Sequence, residues 1–109
     1  MDIIEKDSYI LFQFSDIKDW NDFQSSEDAI EKSKGYNQNV IFSFDTGISF
    51  NSELLEELGN FSVALGSINK SFVVVTDFAK EDIDHVLNLI PTEHEAMEFI
   101  FMEEIERSL

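Results

Sequence analysis

Apolar residues along this chain follow two patterns: short continuous runs, and stripes that recur every three to four positions. Tyr9-Ile10-Leu11-Phe12-Gln13-Phe14 is a β-branched and aromatic run, preceded by Ile3 and Ile4 with Lys6-Asp7-Ser8 as a turn between them. Residues 2–14 therefore predict a hairpin or one bent strand. Ser15 or Asp16 then suits a helix cap, and Ile17, Trp20, Phe23, Ala29 and Ile30 recur at roughly helical spacing. Gln24-Ser25-Ser26 interrupts that stripe, which predicts a break, and Gly35 stands where a helix-terminating glycine is expected.

The second half repeats the alternation. Asn39 to Phe44 reads as a buried strand and Asp45-Thr46-Gly47 as a turn. Asn51 or Ser52 caps a helix whose stripe is Leu54, Leu55, Leu58, Phe61, Leu65 and Ile68, ending at Asn69-Lys70. Phe72-Val73-Val74-Val75-Thr76 is a continuous apolar run, as expected of a strand covered on both faces. A short helix is expected around Glu81 to Val86 and a last short strand at Leu87 to Ile90, before Pro91. Thr92-Glu93-His94-Glu95 matches a capping box and opens a final helix that runs to about Arg107. Strands alternating with helices predict one α/β domain over residues 1–109, with a mostly parallel or mixed sheet.

Composition changes this picture mainly through charge. Twenty-three Asp and Glu against seven Lys and Arg leave a net charge of −16. Such a surface opposes contact with nucleic-acid phosphates and anionic membranes, and favours a basic partner or a cation. Eleven phenylalanines supply apolar volume for a small core. The absence of cysteine excludes disulfides, thiolate zinc sites and cysteine nucleophiles, and fits a reducing compartment. The N-terminal residues show no basic region followed by an apolar stretch, and no run of about 18 apolar residues occurs. A cytoplasmic location without membrane contact is the expectation.

The order of elements resembles the STAS domain, the fold of anti-sigma factor antagonists and of the cytoplasmic tails of sulfate transporters. The resemblance spans nearly the whole chain and is carried by its middle. Val40-Ile41-Phe42-Ser43-Phe44-Asp45 looks like the family's central strand ending in Asp. Gly47 to Leu55 looks like the loop that opens its second helix, and residues 72–76 resemble its next strand. The resemblance implies a mixed sheet of about five strands packed with helices as a single pair of layers. It also implies a non-catalytic, regulatory role in protein–protein contact without a cofactor. In sigma-antagonist members the loop reads Asp-Ser/Thr-x-Gly or similar, and its Ser or Thr is phosphorylated by a partner kinase. Here the aligned residues are Asn51, Ser52, Glu53 and Leu54, so the loop is degenerate and the phosphoacceptor position holds Ser52 or Glu53. The partner-binding candidates are Gly47, Ser49, Asn51, Ser52 and Glu53, within a surface from Thr46 to Ser52 and the start of the next helix.

The C-terminal stretch from Pro91, with Met102-Glu103-Glu104-Ile105-Glu106-Arg107, also resembles a group of short Bacteroidetes proteins, some of them called ribonuclease Z. That chemistry needs a His-rich motif to hold two zinc ions. This chain has only His85 and His94, nine residues apart, so neither an enzyme of that kind nor a metal site is expected. Glu56-Glu57, Glu81-Asp82-Asp84 and Glu103-Glu104-Glu106 lack the calcium-loop spacing and read as solvated helix faces.

The final helix carries more apolar residues than one stripe needs. At about 100° per residue, Ala96, Met97, Ile100 and Phe101 fall on one face, and Phe99, Met102, Ile105 and Leu109 on roughly the opposite one. The second face must meet something, and Phe99, Met102 and Ile105 are the candidate contacts for a partner or a homodimer. A rival reading uses the charge instead: an acidic nucleic-acid mimic that occupies a basic protein groove.

Overall fold

In the computed structural model, which describes residues 1–45, 51–76 and 87–109, the N-terminal run is a hairpin. β1 (Asp2–Glu5) pairs antiparallel with β2 (Tyr9–Phe14), Ile3 opposite Phe12 and Ile4 opposite Leu11. β3 (Asn39–Phe44), β4 (Phe72–Val75) and β5 (Leu89–Ile90) follow, each parallel to the strand before it. The five strands lie in the order β1-β2-β3-β4-β5, so the sheet is mixed by virtue of its first strand alone.

The helices begin where capping side chains allow. Asp16 accepts from the Asp19 amide at the start of α1 (Ile17–Gln24). The break expected at Gln24-Ser25-Ser26 is present, and α2 runs over Ala29–Gly35. Gly35 itself stays helical; the left-handed residue that ends the segment is Asn37, at φ 50°. Asparagine tolerates that conformation better than most side chains. Asn51 caps α3 (Ser52–Gly66), its Oδ1 accepting from the Leu54 amide at 2.8 Å. Thr92 caps α4 (Glu93–Ser108), its Oγ1 accepting from the Glu95 amide at 3.2 Å. The helix expected around residues 81–86 lies outside the described residues.

Two apolar cores lie on opposite faces of the sheet, because the strands are apolar on both. Ile10, Phe12 and Phe14 of β2, Val40, Phe42 and Phe44 of β3, and Phe72 and Val74 of β4 face α1, α2 and α3. This core is aromatic: the Phe42 ring sits 4.9 Å from Phe72, 5.1 Å from Phe12 and 5.1 Å from Phe61, centroid to centroid. Trp20 is buried among them, and Glu57 Oε2 accepts its indole N–H at 3.0 Å. Glu57 is thus a structural acceptor, whereas the sequence reading placed it on a solvated face. Ile17, counted above in the apolar stripe, is 48% exposed.

The opposite face carries Leu11, Ile41, Val73 and Val75, and Ala96 and Ile100 of α4 cover them. The single pair of layers expected from the sequence is therefore corrected to three. Parallel strands added in one direction by crossovers of one hand put α1, α2 and α3 on one face. The other face is as apolar, and α4 is the described helix that covers it. α4 packs mainly on β3, β4 and β5. A helix is about 10 Å wide, and five strands span roughly 19 Å. One helix cannot cover that face. Ile4, which shares the face with its neighbour Leu11, is 36% exposed.

Candidate interaction surface

α4 is held to the sheet by a narrow apolar stripe and by polar contacts near both its ends. Ala96 and Ile100 are fully buried, four residues apart, and the small alanine lets the helix backbone approach the sheet. Near its start, the part-buried hydroxyl of Tyr9 donates to Glu93 Oε2 at 2.5 Å and lies 3.6 Å from Met97 Sδ. Burial, then the hydrogen bond to Glu93 and the Glu93 charge, push the Tyr9 phenol well above its ordinary range. Near its end, Arg107 Nη1 donates to Ser71 Oγ at 3.1 Å, and Nη2 lies 3.5 Å from Asn39 Oδ1. Asn39 is itself buried, donating to the Ser8 carbonyl at 2.9 Å and accepting from the Ser71 amide at 2.9 Å.

With that stripe inward and Phe99 half-buried at its flank, the remaining apolar residues turn outward. Met97, Phe101, Met102, Ile105 and Leu109 are all exposed. Met97, Phe101, Ile105 and Leu109 follow one another at intervals of four, so they form a continuous outer ridge. Elsewhere among the described residues, the exposed large apolar residues Met1, Ile4, Ile17 and Val63 are scattered. Isolated exposed apolar residues are ordinary, but a grouped set is not.

Beside this ridge runs an open groove of about 970 Å³, between the β1–β2 turn and α4. Met97, Phe101 and Met102 supply its apolar wall on α4, and the buried Tyr9 sits at its edge on β2. Its polar margin is Glu5 at the end of β1, Lys6 and Asp7 on the turn, and Glu93 and Glu98 on the helix. The lining therefore holds four carboxylates and one ammonium. Glu98 Oε1 also lies 2.8 Å from His94 Nε2, an exposed pair one helical turn apart.

The sequence candidates separate on this structure. Met102 and Ile105 are exposed at 55% and 40%. Phe99 is not: it is half-buried and packs against the core beneath α4. The buried side of the helix is centred on Ala96 and Ile100 with Phe99 at its flank, so Met97 and Phe101, read above as inward, are the outward ones. An equal split of apolar residues hid this; the small Ala96, four residues before Ile100, was the available signal. Asn51, Ser52 and Glu53 are exposed at the start of α3. Asn51 is occupied as the cap. Gly47 and Ser49 lie outside the described residues, as does His85. Because α3 and α4 pack on opposite faces of the sheet, the α3 start and the α4 ridge belong to different layers.

Among the described residues, no group of three or more His, Asp or Glu side chains converges as metal ligands, and no helix is long and apolar enough to cross a membrane. No protein-family model matches the chain, and a comparison with curated proteins finds no match.

Proposed function

We propose that this chain is a non-catalytic protein-interaction module, STAS-like in the order of its elements, whose main contact surface is the outer ridge of α4 with the adjoining groove. The grouping of Met97, Phe101, Met102 and Ile105 on one exposed helix face carries this reading. A helix needs one apolar stripe to join its own core, and α4 already has one in Ala96 and Ile100. The remaining apolar residues lower solubility unless a partner covers them. The exposed start of α3, at Ser52 and Glu53, is a second contact that the STAS resemblance favours. A cysteine-free chain suits a cytoplasmic setting.

The test is capture from native lysate with wild type, Ser52→Arg and Phe101→Ser as baits, eluted in rising salt. A specific protein kept by wild type and Ser52→Arg but lost by Phe101→Ser supports the α4 surface. Loss with Ser52→Arg alone moves the contact to the α3 start. If all three baits hold the same basic proteins and release them at modest salt, the nucleic-acid mimic is the better reading, since its binding rests on charge.

A further inference from the structure

We infer that the groove between the β1–β2 turn and α4 receives a basic amphipathic helix from a partner protein; this rests on the interaction-module reading and specifies its ligand. The groove has two unlike parts. Its wall is Met97, Phe101 and Met102, unbranched or planar side chains that adapt to apolar groups of varied shape. Its margin is Glu5, Asp7, Glu93 and Glu98, drawn from both the hairpin and α4, with Lys6 the one cation among the lining residues.

An occupant that satisfies both parts carries apolar residues along one face and Lys or Arg at the borders of that face. An amphipathic helix with anchors at i, i+3 or i+4, and i+7 has that arrangement and fits grooves of this type. The helix's cations pair with the carboxylate margin while its anchors fill the wall.

Charge decides against the other occupants. A second copy of this chain would join two molecules of net charge −16. In a two-fold contact the same patch meets itself, so one acidic margin of Glu5, Asp7, Glu93 and Glu98 would be set against another. Nucleic acid and anionic membranes carry the same sign as the margin. A basic helix gains from the long-range field on approach and from the apolar wall on docking.

The probe is a synthetic helix of about 18 residues, about five turns, with leucine on one face and lysine at its borders. It is titrated into wild type at about 50 and about 150 mM salt. Two control peptides accompany it, one with every lysine changed to glutamate and one with the same residues scrambled. Binding is expected to saturate at one peptide per chain, with amide-spectrum perturbations concentrated at residues 5–9 and 93–102. Phe101→Ser and Asp7→Lys should each weaken it about tenfold or more, and the glutamate peptide should not bind. Met102→Ser serves if Phe101→Ser fails to fold. Equal binding of the scrambled peptide, or perturbations spread over the whole acidic surface, overturns the proposal. So does a concentration-dependent dimer in sedimentation that Phe101→Ser abolishes, which makes a second copy the occupant. If the probe does not bind while Phe101→Ser still loses its lysate partner, the module reading stands and the basic helix is wrong.

Discussion

The Tyr9 hydroxyl donates to Glu93 Oε2 at 2.5 Å, joining the first residue of β2 to the first residue of α4 across 84 positions of sequence. Both residues line the groove, so the bond ties α4 to the sheet beside it. Tyr9→Phe removes the donor without removing the ring. A hydrogen bond to a charged group contributes about 1.5–3 kcal/mol, so chemical unfolding should show a loss near the lower end of that range. Amide exchange should quicken at residues 93–97 more than in α3.

The same bond predicts an alkaline effect. The folded protein holds the Tyr9 proton more tightly than the unfolded chain does. The unfolded state thus loses a proton first, and stability from this group is intact below about pH 10 and falls as pH rises beyond it. Unfolding measured from pH 8 upward should show wild type losing stability faster than Tyr9→Phe above that point.

Acid has a separate target at the start of α1. Asp19 accepts from the Ser15 hydroxyl at 2.7 Å and from the Ser15 amide at 3.1 Å, and these bonds lower its pKa to about 2 from 3.8. Its contribution is complete above pH 3.8 and fades as pH falls through 2. Asp19→Asn should therefore unfold more easily than wild type at neutral pH, and the two should converge as pH approaches 2.

Core and ridge should respond oppositely to truncation. Phe42 is fully buried, and among the described residues its aromatic neighbours are Phe12, Phe14, Trp20, Phe23, Phe61 and Phe72. Phe42→Ala should cost about 3–5 kcal/mol, a large part of the roughly 5–15 kcal/mol that holds a domain folded. Phe101, 61% exposed, should change stability by no more than about 0.5 kcal/mol as Phe101→Ser. Thermal unfolding compares the two, and a large loss at Phe101 would place it in the core.

Asn39 should matter more than its partner Arg107. Asn39→Ala leaves the buried Ser71 amide and the Ser8 carbonyl without their partner, at about 1–3 kcal/mol for each unsatisfied group. Arg107→Ala removes contacts at a partly exposed rim and should cost about 1 kcal/mol or less. Denaturant midpoints for the two variants test the order.

The strands and most helix starts were readable from the chain because each has a local cause. Continuous runs such as Phe72 to Val75 mark strands covered on both faces, and Asn51 and Thr92 mark helix starts through short-range capping bonds. Those runs also called for cover on both faces, against the single pair of layers that the resemblance implies. What they left open is which element supplies the cover, since a run such as Val73-Val74-Val75 does not say that α4 does. The rotation of α4 was also hidden, since Met97, Phe99, Phe101 and Met102 are equally apolar and only packing ranks them. Glu93 reads as an ordinary first-turn acid until Tyr9 is seen against it. The α3 start behaves as its sequence implies, with Asn51 as cap.

Site-specific photo-crosslinking tests the α4 contact surface most directly. A photoreactive phenylalanine analogue would replace Phe101 on the ridge or, as a control, Val63, which is 71% exposed on α3. Illumination in native extract should give a discrete adduct from position 101 that added Leu/Lys helix suppresses, and none of that size from position 63. The same adducts from both positions, or none from position 101, would contradict the assignment of α4 as the contact surface.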